Sequence, residues 1–413
     1  MEQLQNTKLI FGFERLQERV IERGLCTACG TCVGVCPAKA ITIRRYDGEP
    51  LPFLDGKCSE CGNCEAVCPG EEINLYELEL GIFGRIRTWG TPRNPEELHL
   101  GIFKDTYRGW ALNQKIRQNG SGGGVVTAIL AWALESGLVD GVIVAGFNPQ
   151  KAWQTQPFLA RSPEDVYLYA QSKYAVVTMN SLLQEAIESG CERLGIVGLP
   201  CQVHALRKLK GLGRPKRVAE RLKLVIGLFC ASQFYFEGTR HLLVEQGNTK
   251  DLNEIKTLSY RGGEYPGHFV INKKDGNSEI IDRHQYMYHF LMPGYKRDRC
   301  EMCIDWAAEL ADISVGDYWV PDGSEKSSAL LVRSDLGLEV MSLARSSGVL
   351  EVEPIDPKKL YSGIGFELKK HSSAFRLKQR ERFNWPTPNF HMEVDYSPFP
   401  RTIHLAKEMK RDE

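Results

Sequence analysis

The sequence has no excess of charge of either sign. Lys and Arg number 52, Asp and Glu also 52, and the formal net charge is zero. No global field therefore draws in nucleic acid or an anionic membrane, and no basic stripe points to a nucleic-acid partner. Long apolar runs are missing as well. No stretch approaches the roughly 18 uninterrupted apolar residues of a spanning helix, so no transmembrane segment is expected. No basic segment followed by an apolar core opens the chain, so no secretory signal is read there. These absences point to a cytoplasmic protein, in a compartment where structural disulfides are rare. The chain has 413 residues, 42% hydrophobic and 25% charged. That composition is ordinary for a globular protein of about two or three domains.

Cysteine is plentiful, with thirteen in the chain. Eight fall in two runs. Cys26, Cys29, Cys32 and Cys36 precede Pro37, and Cys58, Cys61, Cys64 and Cys68 precede Pro69. Each run reads C-x2-C-x2-C-x3-C-P, the spacing by which bacterial ferredoxins ligate [4Fe-4S] clusters. Three thiolates within seven residues wrap one face of a cubane, and the last Cys of each run serves the other cluster. Cys26, Cys29, Cys32 and Cys68 are thus assigned to one cluster, and Cys58, Cys61, Cys64 and Cys36 to the other. Gly30 and Gly62 suit a loop wrapped tightly round an inorganic core. Disulfides conflict with the compartment, and zinc sites show paired C-x2-C elements rather than this triple run.

The rest of the chain reads as follows. Residues 1–22 carry spaced apolar positions (Leu9, Phe13, Leu16, Val20, Ile21) and fit an amphipathic helix. Ala40–Arg44 and Leu51–Leu54 fit short strands. Residues 81–104, rich in Gly, Pro and Arg, read as a linker. From about residue 105, apolar strands (140–146, 193–197, 222–229, 311–315, 329–332) alternate with helices (125–136, 181–189, 202–209). That alternation predicts an α/β domain with a parallel or mixed sheet. The expected fold is an α+β ferredoxin-like two-cluster module followed by an α/β domain with a mixed sheet. Residues 1–80 form the module with its helix, 81–104 the linker, 105–350 the catalytic domain and 351–413 a charged C-terminal extension. The extension is expected to wrap the surface or meet a partner.

Two further features could carry chemistry. Gly120-Ser121-Gly122-Gly123-Gly124 opens a helix and resembles a phosphate cradle, where backbone N–H groups and the helix N-terminus face an anion. It matches neither G-x-G-x-x-G nor a Walker A sequence, and a tight turn explains it equally well. Gln171-Ser172-Lys173-Tyr174 adds a cation and an aromatic ring. Among the remaining cysteines, Cys201 and Cys230 follow predicted strands, where open α/β sheets bind ligands. Cys300 and Cys303 form a C-x2-C. These four could make a third [4Fe-4S] site, or two buried thiols plus a separate redox pair. Cys191 reads as a buried structural thiol.

Several segments then occur in one order: Gly122-Gly123-Gly124-Val125-Val126-Thr127, Ser172-Lys173-Tyr174, Gly198-Leu199-Pro200-Cys201-Gln202, Gly227-Leu228-Phe229-Cys230, Cys300-Glu301-Met302-Cys303 and Ala311-Asp312-Ile313-Ser314-Val315-Gly316. Over about residues 105–340 the chain resembles the family of coenzyme F420 hydrogenase and dehydrogenase β-subunits. With its N-terminal module, the layout is similar to the electron-input subunit of F420H2 dehydrogenase. The resemblance implies FAD in the α/β domain and a third cluster on Cys201, Cys230, Cys300 and Cys303. It implies that Ser121, Gly122, Gly123, Gly124, Val125, Thr127, Lys173 and Tyr174 line the flavin site. It also implies coenzyme F420 as substrate, and ferredoxin or a redox partner subunit, within a larger oxidoreductase complex, as the one-electron partner. The turn Gly-Ser-Gly-Gly-Gly, the segment Gly316-Asp317-Tyr318-Trp319 and the C-terminal tail depart from the simplest members of the family. Two other functions share these cofactors or part of them: a ferredoxin-fed FAD-dependent reductase of an organic substrate, and a non-catalytic electron-relay subunit.

Overall fold

The computed structural model describes residues 11–46, 48–87, 96–318 and 326–392. Leu9, Trp319, Pro398 and Pro400 lie outside the described residues. The first described helix runs from Phe13 to Leu16 and continues as a wider π turn over Gln17–Ile21. Phe13, Leu16 and Val20 are buried, as the spacing predicts. Strands β1 (Ile41–Tyr46) and β2 (Glu49–Leu54) pair antiparallel between the two cysteine runs. Each cysteine run carries one short helix, Thr31–Gly34 and Asn63–Ala66, started by Gly30 and Gly62 in the left-handed region.

The large domain is built on one eight-stranded sheet. Its strands are β3 (Asp105–Ala111), β4 (Gly141–Phe147), β5 (Thr155–Ala160), β6 (Leu194–Gly198), β7 (Leu222–Leu228), β11 (Ile313–Asp317), β12 (Ser328–Val332) and β13 (Leu350–Pro354), in the order β13-β3-β12-β11-β7-β6-β4-β5. The central four, β11-β7-β6-β4, are parallel, and both flanks are antiparallel. The sheet is mixed, as expected. The central strands are apolar almost throughout because both faces are covered. Along β7, Val225 joins the core on one face, while Leu224 and Ile226 join the other. Helices Leu183–Glu188 and Pro200–Leu212 cover the first face, and Val125–Glu135 and Asp335–Ser346 the second. The carboxyl ends of the parallel strands therefore open along one rim.

Three regions differ from the sequence reading. The stretch 81–104 is no free tether among its described residues. Helix Leu75–Phe83 runs into it, and Arg87 is buried between Glu79 and Glu309. Arg87, one of the arginines of this stretch, locks it to the domain. The Gly- and Pro-punctuated region 261–299 contributes to a second sheet, β10-β9-β8, made of Ile255–Gly262 (β8), His268–Lys273 (β9) and Ser278–Ile281 (β10). Tyr260, Phe269, Tyr286 and Leu291 give this cap its own core. Finally, the C-terminal extension is integrated into the fold. Helix Phe366–Arg382 buries Lys369 and Lys370, and Phe390 enters the main core together with Val35, Val67, Ile73 and Leu75 of the cysteine module. The module and the large domain thus share one apolar core. Among the described residues, no helix is long and apolar enough to cross a membrane.

Candidate functional site

Cys26, Cys29, Cys32 and Cys68 line one small cavity, with Leu16, Val20 and Ile43 around them. Burial pushes the Cys26 thiol up to about 11. It pushes Cys32 well up too, helped by Cys29, Cys26, Cys68 and Cys64. Burial raises Cys64 to about 12, and Cys58, Cys61 and Cys36 add to the rise. Cys32 thus feels the three partners assigned to it as well as Cys64 of the other group, and Cys64 feels its own three. The backbone N–H groups of Ala28, Glu60 and Gly70 donate to the sulfurs of Cys26, Cys58 and Cys68, all at 3.4 Å.

The two groups meet different surroundings. A Cβ on Gly30 would stand 2.8 Å from Thr178 O and Ser181 N, whereas one on Gly62 would meet nothing within 4 Å. Gly30 is needed for conformation and for close approach, Gly62 for conformation alone. The first group is pressed against the large domain. The second reaches the surface, where Cys61 is exposed.

Cys201, Cys230, Cys300 and Cys303 come together in a third cavity, at the rim of the sheet. Cys201 starts the helix after β6, Cys230 follows β7, and Cys300 and Cys303 lie on and just after a short helix, Asp298–Glu301. The N–H of Gln233 donates to the Cys300 sulfur at 3.4 Å. Burial raises the Cys201 thiol well above its ordinary value, and Cys303, Cys230, Cys29 and Cys300 add to the rise. Cys29 belongs to the first group, so the two groups adjoin. Thr27 and Pro69 of the module also line this third cavity. Under it, His204 and Asp305 form a buried pair at 2.8 Å. Cys191 stays apart, fully buried in the main core, as its reading as a structural thiol requires.

These donor sets fit iron–sulfur clusters. All twelve donors are soft thiolates, gathered as three groups of four. Among the described residues, no three His, Cys, Asp or Glu side chains form a site for a metal ion by themselves. Four thiolates round a four-iron cluster stand further apart than four round one ion, so that finding concerns single-ion sites.

Beside the third group opens a cavity of about 550 Å³. Ser121, Gly122, Gly124, Val125, Thr127, Lys173 and Tyr174 all line it. The N-terminus of helix Val125–Glu135 lies at its edge and suits an anion. Gly123 does not line it. Its N–H donates to Ser328 Oγ at 3.0 Å, and a Cβ there would stand 2.5 Å from Gly109 O. Its placement in the flavin site is therefore corrected: Gly123 packs the turn onto β3 and β12. Lys173 Nζ donates to the carbonyls of Tyr169, Ala170 and Gln171 at 2.5, 2.6 and 3.0 Å. Its three protons hold the loop, so it shapes the wall rather than grips a phosphate. Burial pushes this amine down to about 7.

Several lining residues carried no sequence signal. Arg261, paired with Asp317, comes from the cap, as do Arg283, Met287 and Tyr288. Such walls assemble from distant segments, and no spacing announces them. Cys230 and Gln233 border both this cavity and the third cysteine group.

Residues 18–69 match a 4Fe-4S dicluster domain. Residues 106–184 and 191–358 match the N-terminal and C-terminal parts of the coenzyme F420 hydrogenase/dehydrogenase beta subunit. Coenzyme F420 hydrogenase subunit beta of Methanococcus voltae is 31% identical over 297 residues, 70% of this chain and 99% of that protein. Coenzyme F420-dependent sulfite reductase of Methanocaldococcus jannaschii is 26% identical over 93% of this chain, which spans 55% of it. An F420H2 dehydrogenase subunit of Methanosarcina mazei is 25% identical over 87% of this chain and 93% of its own length. A chain of the F420-reducing [NiFe] hydrogenase complex from Methanosarcina barkeri superimposes with a TM-score of 0.59 at 26% identity, covering 73% of this chain and all of that one. The ordered motifs, the mixed sheet and these matches together show that the chain belongs to the family of coenzyme F420 hydrogenase/dehydrogenase beta subunits.

Proposed function

We propose that the chain is an iron–sulfur flavoprotein that moves electrons between coenzyme F420 and a one-electron partner, either ferredoxin or a partner subunit. FAD in the 550 Å³ cavity, with [4Fe-4S] clusters on the three cysteine groups, would supply the conversion of hydride transfer into one-electron steps. One observation carries the reading: the cavity and the three groups adjoin in a row. Cys230 and Gln233 border both the cavity and the third group. Cys201 feels Cys29 of the first group, and Cys32 of the first feels Cys64 of the second. The row ends at the exposed Cys61.

The chain's own residues supply position. Gly124 and the helix behind it would face the anionic part of a bound cofactor, and Ser121 Oγ accepts from Ser172 N at 2.9 Å, tying the turn to the Lys173 loop. Tyr174 and Arg261 also line the cavity. No proton-transfer residue is assigned, because hydride transfer requires none.

The test is anaerobic mixing of the purified holoprotein with reduced F420. Rapid bleaching of bound flavin is expected. If the flavin stays oxidised while dithionite bleaches it, F420 is the wrong carrier. Phe229, Met287, Met292 and Trp306 line the same cavity. They favour a second reading, a ferredoxin-fed reductase of an apolar organic substrate, which that outcome would leave standing. Protein that releases no flavin on denaturation would instead point to the non-catalytic relay.

A further inference from the structure

Two buried arginines cross the junction between the large domain and the cysteine module. Arg297 Nη1 and Nη2 donate to Thr27 O and Cys26 O at 3.2 and 3.1 Å, and Arg297 also pairs with Glu49. Arg299 Nε and Nη2 donate to Leu25 O and Gly70 O at 3.1 and 3.3 Å. Phe390 lies against the Arg299 guanidinium, 5.8 Å from ring centre to Cζ, and shields it from water. Both arginines line the cavity of the third cysteine group.

Their charges are balanced differently. Arg297 has the Glu49 carboxylate. Among the described residues, no carboxylate pairs with Arg299; it shares its cavity with the sulfurs of Cys201, Cys300 and Cys303. A buried cation is costly unless an opposite charge stands close by, and a guanidinium does not escape by losing its proton. A site of four thiolates holding iron supplies that opposite charge.

We infer that Arg299 is a built-in counter-ion of the Cys201 group, beside Lys369 in the same cavity, and holds its reduction potential up, while Arg297 fixes that group against the Cys26 group. The inference rests on the third cluster proposed above. Reduction adds one electron to the site and breaks no bond. The added negative charge is stabilised by the adjacent cation, so removing the cation favours the oxidised state. Arg299 and Arg297 act on potential and spacing and touch no substrate.

The experiment is an anaerobic redox titration of the full-length holoprotein with dithionite, followed by EPR, with iron and sulfide measured on each sample. Arg299→Gln is expected to weaken the one-electron reduction of the third cluster by about tenfold or more, a fall of about 59 mV. Arg299→Lys, which keeps the charge, is expected to stay within about threefold of the parent. Arg297→Gln is expected to shift the midpoint less than Arg299→Gln, because Glu49 already offsets Arg297. An unchanged midpoint in Arg299→Gln with full iron content overturns the inference alone. If Arg299→Gln loses iron, Arg299→Lys decides: retained iron with a near-parental midpoint supports a role of charge, and lost iron overturns it. Parent protein with iron for two clusters only, unaltered by Cys201→Ser, removes the third-cluster reading and this inference with it.

Discussion

Gly123 and Gly124 are neighbours constrained for different reasons. Gly124 has φ 75°, and a Cβ there would stand 2.8 Å from Ile116 O. Gly123 lacks space, with Gly109 O 2.5 Å from its would-be Cβ. Gly123→Ala should therefore destabilise the domain by about 1–3 kcal/mol through overpacking. The denaturant midpoint should fall with the slope unchanged. The thiols give a second prediction at this scale. In cluster-free protein, burial raises Cys26 to about 11 and Cys64 to about 12. The same thiols in the unfolded chain lose their protons near the ordinary value of 9. The unfolded state then binds fewer protons, so stability falls as pH rises. The contribution is full below about 9 and is lost through about 11–12. Clusters require thiolates already free of protons, so the loaded protein should not show this loss. Anaerobic denaturation of loaded and cluster-free protein across that range would separate the two.

Among the elements, the former linker and the C-terminal helix depend on one buried ion network. Arg87 pairs with Glu79 from helix Leu75–Phe83 and with Glu309 from the loop before β11, and Lys370 from helix Phe366–Arg382 reaches the same Glu309. Lys370 also donates to Ile304 O at 2.9 Å, and Lys369 to Cys300 O. The C-terminal helix thus braces the loop that carries Cys300 and Cys303. Arg87→Met leaves two buried carboxylates short of a partner and should cost about 3–5 kcal/mol. Chemical denaturation should show that loss, and chelator-driven iron release from the third group should quicken with it.

For the whole molecule, the row of groups sets a direction in space. The cavity lies at the strand ends, the third and first groups line partly buried cavities, and the second group reaches solvent at Cys61. Cys58→Ser should spare flavin bleaching by reduced F420 and stop delivery to the one-electron partner. Stopped-flow absorbance would follow the first and partner reduction the second. Loss of both in folded protein would sink the row reading. The shared core of module and domain has its own consequence. The two should unfold in one transition rather than two.

What the sequence determines by itself is what local spacing determines. Two C-x2-C-x2-C-x3-C-P runs name their cysteines because three ligands lie within seven residues. The central strands and their helices show because both faces of a parallel sheet demand apolar runs. The order of motifs placed the chain in its family. Tertiary structure alone decided the rest, because it depends on contacts between distant segments. The cap sheet β8–β10 hides in a Gly- and Pro-rich stretch, since its strands are stabilised by a core of their own rather than by a long pattern. Arg87, Arg297 and Arg299 look like surface charges until folding encloses them beside carboxylates, carbonyls and thiols. Gly123 and Lys173 belonged to a plausible cofactor motif, and packing turned one toward the sheet and the other onto three carbonyls. The four dispersed cysteines were candidates by position, and only the convergence of β6, β7 and the 298–303 turn at one rim brings them together.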